Sequence, residues 1–362
     1  MKSDLLRAYI LPGLVFQSVV IAGGYGTGRE LAEFFLLHGP IEGLLGMLLI
    51  STLLWSLVCA ATFEFARAFK AYDYRRFFKH LLGRGWILFE ICYLILLLLV
   101  LAVIASAAGS ILQETFGLPY LAGVAGIMLA VGFLVFKGSS AIEGFLSVWS
   151  LVLYLMYASF LAACFWYFGD HIRQAFQTTP QGTEWIIGGV KYAAYNLGVI
   201  PAVLFVIRHL KTRRQAIGAG LLAGPIAMMP GLFFYLAMAS QYPQVLQRPV
   251  PANALLEALG SPLFQIAFQV VLFGTLIETG SGMIHAVNER VSNLMQERRR
   301  ELPSWQRFAL GVGLLLMGAI IAQYGLIGLI AQGYGTITWG FLLIYVIPIL
   351  TWGMIKLRRM RS

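Results

Sequence analysis

The stretch that decides the fold is Ala22-Gly23-Gly24-Tyr25-Gly26-Thr27-Gly28-Arg29-Glu30, at the middle of the apolar segment 9–38. Four glycines fall within six residues, and each costs about 1 kcal/mol relative to alanine inside a helix. We therefore expect the helix to break here. Bare backbone at membrane depth is tolerated only where it lines a cavity or binds something. The N–H groups of the second half-helix favour an anion, so the stretch predicts an anion-binding site. Close packing of glycines between helices is the alternative.

The composition requires a membrane setting for this segment. The chain has 362 residues, of which 59% are hydrophobic and 12% charged, and its mean hydropathy is +0.79. A globular protein in water has about a quarter of its residues charged. The composition therefore excludes an ordinary soluble protein, and most of the surface must face lipid.

Ten apolar runs, separated by glycine, proline or charge clusters, are long enough to span a bilayer. The predicted spans are 9–38, 41–69, 85–113, 119–137, 141–169, 184–208, 214–240, 261–292, 305–324 and 326–356. With this parsing, 22 of the 26 Lys and Arg residues fall on one side of the membrane. The positive-inside rule then predicts that both termini are cytoplasmic in a multi-pass protein of the cell membrane. The net charge of +10 is thus assigned to topology and anionic lipid headgroups, not to nucleic acid.

The chain is expected to form a single transporter domain, 1–362, made of two similar halves, 1–180 and 181–362. Corresponding spans of the two halves are offset by roughly 170 to 190 residues. Because each half holds an odd number of spans, the halves must have opposite orientations. The predicted fold is an all-α polytopic bundle with a five-plus-five inverted repeat, broken at mid-membrane in spans 1 and 6.

Span 6 has its own break at Tyr195-Asn196-Leu197-Gly198, followed by Pro201. A simple proline kink is the alternative. Corresponding breaks in two halves point to a binding site for a small solute. The candidate substrate-binding residues are Gly23, Gly24, Tyr25, Gly26, Thr27 and Gly28 in span 1, and Tyr195, Asn196, Leu197 and Gly198 in span 6.

Span 8 carries the candidate residues for a coupling ion. Glu278, Ser281, His285 and Asn288 have i, i+3, i+7, i+10 spacing and share one helical face. A carboxylate near the bilayer centre must be protonated, paired or bound to a cation. Thr279 and Ser281 offer oxygen ligands suited to Na⁺, whereas Glu278 with His285 could relay H⁺. Both ions remain open, as does a buried polar cluster that only holds helices together, and no organic cofactor is expected.

Arg29, Glu30, Glu33 and Lys191 lie in the outer halves of spans 1 and 6. Arg29 can reach Glu33 at i, i+4 and Lys191 can cross over, which predicts an outer ionic gate. A snorkelling surface cluster is the alternative.

Two surface helices are also predicted. The basic stretch 71–83 is expected to lie at the cytoplasmic interface. The stretch 249–259 is expected to form a short helix over the outer face of the bundle, where it could act as a lid.

The pattern resembles the amino acid, polyamine and organocation transporter superfamily, which has the LeuT-type fold with spans 1 and 6 broken. More closely, Gly23-Gly24-Tyr25-Gly26-Thr27-Gly28-Arg29-Glu30 and Ile277-Glu278-Thr279-Gly280-Ser281-Gly282-Met283-Ile284-His285-Ala286-Val287-Asn288-Glu289-Arg290 resemble the YkvI-type family of amino acid permeases. The resemblance implies a secondary transporter with alternating access, acting as a cation-coupled symporter for a small carboxylate-bearing solute, an amino acid above all.

In sodium-coupled relatives, span 1 carbonyls and span 8 hydroxyls hold the cation. Mapped onto this sequence, the resemblance implies a Na⁺ site at the backbone near Ala22 and Tyr25, with Thr279, Ser281 and Glu278. An acid at position 278 departs from the family pattern, so H⁺ coupling stays open.

Two other classes of protein compete with a transporter. Gly24-Tyr25-Gly26 and Gly333-Tyr334-Gly335 are similar to the Gly-Tyr-Gly of a potassium filter, but a filter also needs a pore-helix hairpin and four copies around an axis. A membrane-embedded enzyme would have only Glu278 and His285 to supply its chemistry.

The charge asymmetry predicts that 71–84, 209–213 and 293–304 are cytoplasmic. The test places one cysteine at Lys211 in a chain whose Cys59, Cys92 and Cys164 are replaced. An impermeant maleimide should label position 211 in inverted vesicles and not in intact cells. Labelling from the outside of intact cells would contradict the topology.

Overall fold

The computed structural model describes residues 2–21, 23–137, 139–177, 182–297 and 303–360. Every element of secondary structure within these residues is helical.

In the first half of the chain the described helices run from the N-terminus to residue 175. They are α1 (Lys2–Tyr9), α2 (Leu11–Val20), α3 (Gly23–Gly26), α4 (Arg29–Phe34), α5 (Pro40–Leu45), α6 (Thr52–Ala68), α7 (Tyr74–Leu82), α8 (Trp86–Phe116), α9 (Tyr120–Lys137) and α10 (Ser139–Ala175). A π-helical turn, Gly46–Ser51, joins α5 to α6, so these two form one continuous helix.

The second half begins with another helix that stops short. Its described helices are α11 (Glu184–Leu197), α12 (Arg213–Ala239), α13 (Pro251–Leu259), α14 (Pro262–Glu297), α15 (Ser304–Ala322), α16 (Leu326–Gly328), α17 (Gly335–Phe341) and α18 (Met354–Arg359). Three π-helical segments connect α16 to α18: Leu329–Tyr334, Leu342–Val346 and Ile349–Gly353.

Eight helical segments among the described residues are long and apolar enough to cross a membrane. They are Pro40–Ala68, Tyr74–Phe116, Tyr120–Lys137, Val152–Ala175, Arg213–Ala239, Pro262–Ser292, Trp305–Ala322 and Leu326–Arg359. They coincide with eight of the ten predicted spans. The predicted spans 9–38 and 184–208 are missing from this set because their helices are interrupted. The chain is therefore a multi-pass membrane protein, and the opposite orientation of its halves stays a prediction.

Both interruptions lie where the glycine and asparagine clusters predict them. After α2 ends at Val20, a single turn (α3) and a left-handed residue, Gly28 with φ of +81°, precede α4. Only glycine adopts this φ without strain. In the second half α11 ends at Leu197, and two 3₁₀ turns, Ile200–Ala202 and Val206–His209, carry the chain onward. Span 6 is thus one helix followed by turns, not two half-helices.

Small residues bring α12 close to α6, and α6 also holds α11. A Cβ on Gly220 would lie 2.3 Å from the Ala60 Cα, and one on Gly224 would lie 2.2 Å from the Ser56 Oγ. Two glycines four residues apart are a common device for close helix contact in membranes. The Trp55 indole donates to the Ala193 carbonyl oxygen at 3.1 Å, which fixes α11 against this pair.

The two ends of the bundle differ in chemistry. At one end, here called the basic end, α1, α7, the loop 209–213 and α18 come together: Lys356 Nζ donates to the His80 carbonyl oxygen at 2.6 Å, and a His209 ring nitrogen contacts the Arg7 carbonyl oxygen at 2.8 Å. The opposite end, here called the lid end, carries α13. Both predicted surface helices are therefore present.

Helix α7 docks on protein instead of resting its apolar face on lipid. Its Phe78 ring stacks on Phe89 of α8 with centroids 3.6 Å apart, and it meets Tyr345 edge-on at 5.3 Å. The basic side chains of Arg76 and Lys79 stay exposed. Its position thus comes from aromatic packing in addition to any attraction to headgroups.

Candidate functional site

The two breaks meet in the interior. The Tyr195 hydroxyl, two residues before the end of α11, donates a hydrogen bond to Glu30 Oε2 in the first turn of α4. Both side chains are buried. Tyr195 also stacks on Tyr334, with ring centroids 4.7 Å apart. The first turn of α4, directly after the first break, therefore lies against the end of α11, where the second break begins.

The backbone of the first break is supported by groups from distant elements. Tyr157 of α10 donates its hydroxyl hydrogen to the Gly26 carbonyl oxygen at 3.0 Å. The Ala252 amide of α13 donates to the Thr27 carbonyl oxygen at 3.0 Å. The Tyr25 ring is 1% exposed and its hydroxyl has no hydrogen-bond partner among the described atoms. Ala22, predicted as part of the ion site, lies outside the described residues.

The second break offers fewer polar groups than its sequence suggests. Asn196 is buried and its Nδ2 donates to the Tyr192 carbonyl oxygen at 2.9 Å, within its own helix. Leu197 is fully buried. A Cβ on Gly198 would lie 2.6 Å from the Phe341 ring. In this conformation Asn196 therefore braces the end of α11, and Gly198 gives Phe341 room.

An inner cavity of about 370 Å³ lies between the breaks and the basic end. Its walls come from α2, α8, α10, α14 and the turns after α11. The lining residues that bear on chemistry are Ser18, Ile21, Tyr154, Val199, Glu278 and Thr279. The cavity thus touches both interrupted segments at Ile21 and Val199, next to the predicted substrate residues.

The structure separates the predicted ion ligands of span 8. Glu278 and Thr279 line the inner cavity, whereas Ser281 and His285 are not among its lining residues. The Thr279 hydroxyl donates to the Thr275 carbonyl oxygen at 3.0 Å. Ser281 is fully buried, and its hydroxyl donates to the Glu278 carbonyl oxygen at 3.1 Å. Of the face proposed from helical spacing, Glu278 is the member that reaches the cavity.

Arg290 connects three helices on the basic-end side of the inner cavity. The Arg290 guanidinium lies between two rings, with its Cζ 4.1 Å from the Tyr74 centroid and 3.9 Å from the Tyr93 centroid. Its Nη1 is 3.1 Å from Glu90 Oε1. Tyr93 also lines the cavity. Cation–π contacts and an ion pair therefore tie α7, α8 and α14 together at this end.

The lid end is closed by an arginine in the break itself. The Arg29 side chain is 2% exposed, and its Nη2 is 2.7 Å from Glu33 Oε2, as the i, i+4 spacing predicts. Its Nη1 donates to the carbonyl oxygens of Leu246, at 2.7 Å, and Arg248, at 3.2 Å. These carbonyls belong to the lid, defined here as residues 244–259. Arg29 thus fastens span 1 to the lid.

An amide relay fastens the other side of the lid. Asn253 is fully buried; its Nδ2 donates to Glu114 Oε2 at 2.8 Å, and its Oδ1 accepts from Gln269. The relay joins α13 to α8 and α14. Sequence patterns do not connect these three residues, because they lie on three different helices and meet only in the folded structure.

The four residues predicted for the gate lie in three places, and Arg29, as described, binds Glu33 and the lid carbonyls. Glu30 is committed to Tyr195, as described. Glu33 and Lys191 line a second cavity of about 280 Å³ near the outer ends of α4 and α11, together with His38 and Glu184. This space is called the outer pocket below. The pocket has a charged lining, as a gate region would. Lys191 shares this pocket with Glu33, but no ion pair joins these two described residues.

Comparison with known proteins supports a membrane protein. No protein-family model matches the chain. It is 23% identical over 285 residues to the uncharacterized membrane protein YkvI of Bacillus subtilis, which covers 78% of this chain and 80% of that protein. At this identity the match does not assign the chain to a family.

Two solved structures of a manganese transporter from Eremococcus coleocola share its fold. A mutant form has a TM-score of 0.53 and 17% identity, covering 95% of this chain and 78% of that one. A complex with an aromatic bis-isothiourea substituted compound has a TM-score of 0.54 and 16% identity, covering 96% and 79%. The chain thus has the fold of a solved membrane transporter.

The hydrogen bonds from Arg29 to the lid predict how the lid responds to the loss of this side chain. Arg29→Ala removes the ion pair with Glu33 and two hydrogen bonds from a charged donor to the lid carbonyls, and each of these two bonds is worth roughly 1.5–3 kcal/mol. Amides of 244–259 should then exchange with deuterium about tenfold faster or more, because local opening becomes easier. Arg248→Ala is the matched control, since it removes an exposed ion pair to Glu257 worth about 0–1 kcal/mol. Equal exchange in the two variants would contradict the role of Arg29.

Proposed function

We propose that the chain is a secondary active transporter that carries a small carboxylate-bearing solute, an amino acid above all, by alternating access. The observation that carries the proposal is the meeting of two interrupted helices beside a cavity that contains an acid. Interrupted backbone inside a membrane marks a binding site, and the fold shared with a solved transporter supports the same reading.

The substrate is placed between the two breaks. The α4 N-terminus supplies backbone N–H groups with the positive end of a helix dipole, which suits a carboxylate. Its candidate contacts are Gly23–Gly28 on one side and Tyr195–Gly198 on the other. The cavity beneath them, at Ile21 and Val199, gives the solute a route to the basic end.

The neighbour's cargo, manganese, is not carried over to this chain. Mn²⁺ favours several carboxylate and other oxygen ligands. Among the residues that the structure describes, no group of three or more His, Cys, Asp or Glu side chains could hold a metal ion. We therefore propose an organic solute on the ground of the two interrupted helices alone.

The structure gives the competing classes less support. Tyr334 of the Gly-Tyr-Gly sequence lies in a helical segment and stacks on Tyr195, instead of standing in an extended filter loop. His285 is not among the residues that line the cavity with Glu278. A shared fold with a transporter also favours transport over a channel or an enzyme.

We place the basic end in the cytoplasm of a cell-membrane protein, by the positive-inside rule. The lid then lies on the outside, and the inner cavity lies between the breaks and the cytoplasmic end. In this orientation Glu278 and Thr279 face the inner cavity. A coupling ion, Na⁺ or H⁺, bound at these two side chains would be released into the cytoplasm with the solute.

Uptake by proteoliposomes tests the function and the ion together. Wild-type protein should accumulate at least one radiolabelled amino acid from a panel when driven by a Na⁺ or a pH gradient. With Na⁺ at the site, Glu278→Gln and Thr279→Ala should both weaken the Na⁺ dependence, because each removes charge or an oxygen ligand. With H⁺, Glu278→Gln should keep solute exchange and lose the response to the pH gradient.

The matched control for this test is Ser281→Ala. Ser281 is close in sequence but does not line the cavity, so this variant should respond to both gradients like the wild type. Full concentrative uptake by Glu278→Gln under either gradient would contradict an ion site at Glu278. Failure of the whole panel would contradict the amino acid class.

A further inference from the structure

Glu30 is a carboxyl group sealed inside the membrane part of the protein. Its residue is 4% exposed, and its hydrogen-bond partner is the Tyr195 hydroxyl. Among the described residues, no Lys, Arg or His nitrogen lies within ion-pair distance of its oxygens. The function proposed above, with an ion at Glu278, does not use this acid.

The surroundings of Glu30 are aromatic hydroxyl groups, not cations. Four tyrosines from α3, α11 and the segment 329–334 lie within electrostatic range of the carboxyl group: Tyr25, Tyr192, Tyr195 and Tyr334. The Tyr192 hydroxyl is buried without a hydrogen-bond partner in the described structure. The rings exclude water, and one phenol hydrogen bond is a weak counterpart to a full negative charge.

The charged groups on the elements packed against α4 bind other partners or line the outer pocket. Arg29 is held by Glu33 and the lid carbonyls. Arg248 pairs with Glu257. The other neighbouring titratable groups line the outer pocket or bind backbone: His38, Glu184 and Lys191 in the pocket, and Tyr235, which donates to the Pro40 carbonyl oxygen. Among the residues that the structure describes, no Lys, Arg or His side chain is therefore placed to neutralise Glu30.

An ionised carboxylate in such a place costs several kcal/mol, because it loses hydration without gaining a cation. A neutral carboxylic acid avoids most of this cost. From this geometry we propose that Glu30 is a protonation site of the lid-end gate, defined here as the contact between α4 and α11. The gate closes when Glu30 takes up a proton from outside and opens when it releases that proton. The proposal rests on the proposed transport function only for the existence of a second, open conformation.

The proton's route is the outer pocket. Phe34 lines that pocket and packs on Tyr195 with ring centroids 5.6 Å apart, so these two rings separate the pocket from Glu30. When α4 moves away from α11, water enters and Glu30 ionises. On closing, a hydronium ion in the pocket gives its proton to a carboxylate oxygen and leaves as water. The site then needs no other cation.

Protonation and closing are linked quantities. If the closed state holds one more proton than the open state, acidification favours closing by at most about tenfold per pH unit. Because this coupling belongs to the protein itself, it can be observed without any solute. A failed search for a transported substrate would thus leave the gate proposal testable.

The experiment measures accessibility of the outer pocket in purified protein in lipid nanodiscs. Ala331 lines the outer pocket and is half-buried, so a cysteine there reports opening. Leu118 is 47% exposed and lies outside the outer pocket, so a cysteine there corrects for the effect of pH on thiol reactivity. Each is introduced after the native cysteines are replaced, and labelling with a maleimide is followed from high to low pH.

With Glu30 present, the labelling rate at Ala331→Cys relative to Leu118→Cys should fall on acidification, by up to about tenfold per pH unit. In Glu30→Gln, which keeps an acceptor for Tyr195 but cannot ionise, the ratio should be low at every pH. Glu184→Gln, which changes another acid at the same pocket, should keep the pH dependence. A flat ratio with Glu30 present, or a pH dependence that survives Glu30→Gln, would overturn the proposal.

Infrared spectroscopy of the same samples guards against a misfolded variant. A protonated carboxyl group has its own carbonyl stretching band, and that band should grow on acidification with Glu30 present. Because other Asp and Glu residues also protonate at low pH, the comparison is made over the pH range in which the labelling ratio changes. In that range the band should not grow in Glu30→Gln and should grow in Glu184→Gln. Loss in Glu184→Gln with retention in Glu30→Gln would assign the titrating acid elsewhere and overturn the proposal.

Discussion

The rest of the structure depends on one constraint, which is that backbone groups freed inside a membrane must find partners. The break between α2 and α4 frees such groups, and distant elements satisfy them: Tyr157 binds the Gly26 carbonyl oxygen and the Ala252 amide binds that of Thr27. The broken helix is therefore held open by α10 and by the lid. Any movement of either element must change the backbone that is proposed to bind the solute.

This dependence explains why the lid end is so firmly closed. Arg29, at the N-terminus of α4, reaches the lid carbonyls, and Asn253 fastens the lid to α8 and α14. Glu30, the next residue, binds Tyr195 of the second break. Arg29 and Glu30, two neighbouring residues of span 1, thus connect the first break to the lid and to the second interrupted helix. A movement of one of these three elements therefore changes the contacts of the other two.

Much of this arrangement is predictable from sequence because it follows local rules. Apolar runs predict the eight continuous spans, glycine clustering predicts the interruption before α4, and i, i+4 spacing predicts the pair of Arg29 with Glu33. The members of the site that sequence reasoning missed, such as Tyr157 and Asn253, act across more than 100 residues. The separation of Glu278 from Ser281 also depends on which side of α14 faces the cavity, and helical spacing alone does not determine that.

The most direct test of the central claim is equilibrium binding of radiolabelled amino acids to purified protein, comparing the wild type with Gly26→Leu. A Cβ at Gly26 would lie 2.5 Å from the Leu272 Cδ1, so Leu272→Ala is added to make room for the larger side chain. If the solute binds at the break, the wild type should bind at least one amino acid, and the double variant should lose binding while Leu272→Ala alone retains it. Wild-type affinity in the double variant would place the site elsewhere and contradict the account.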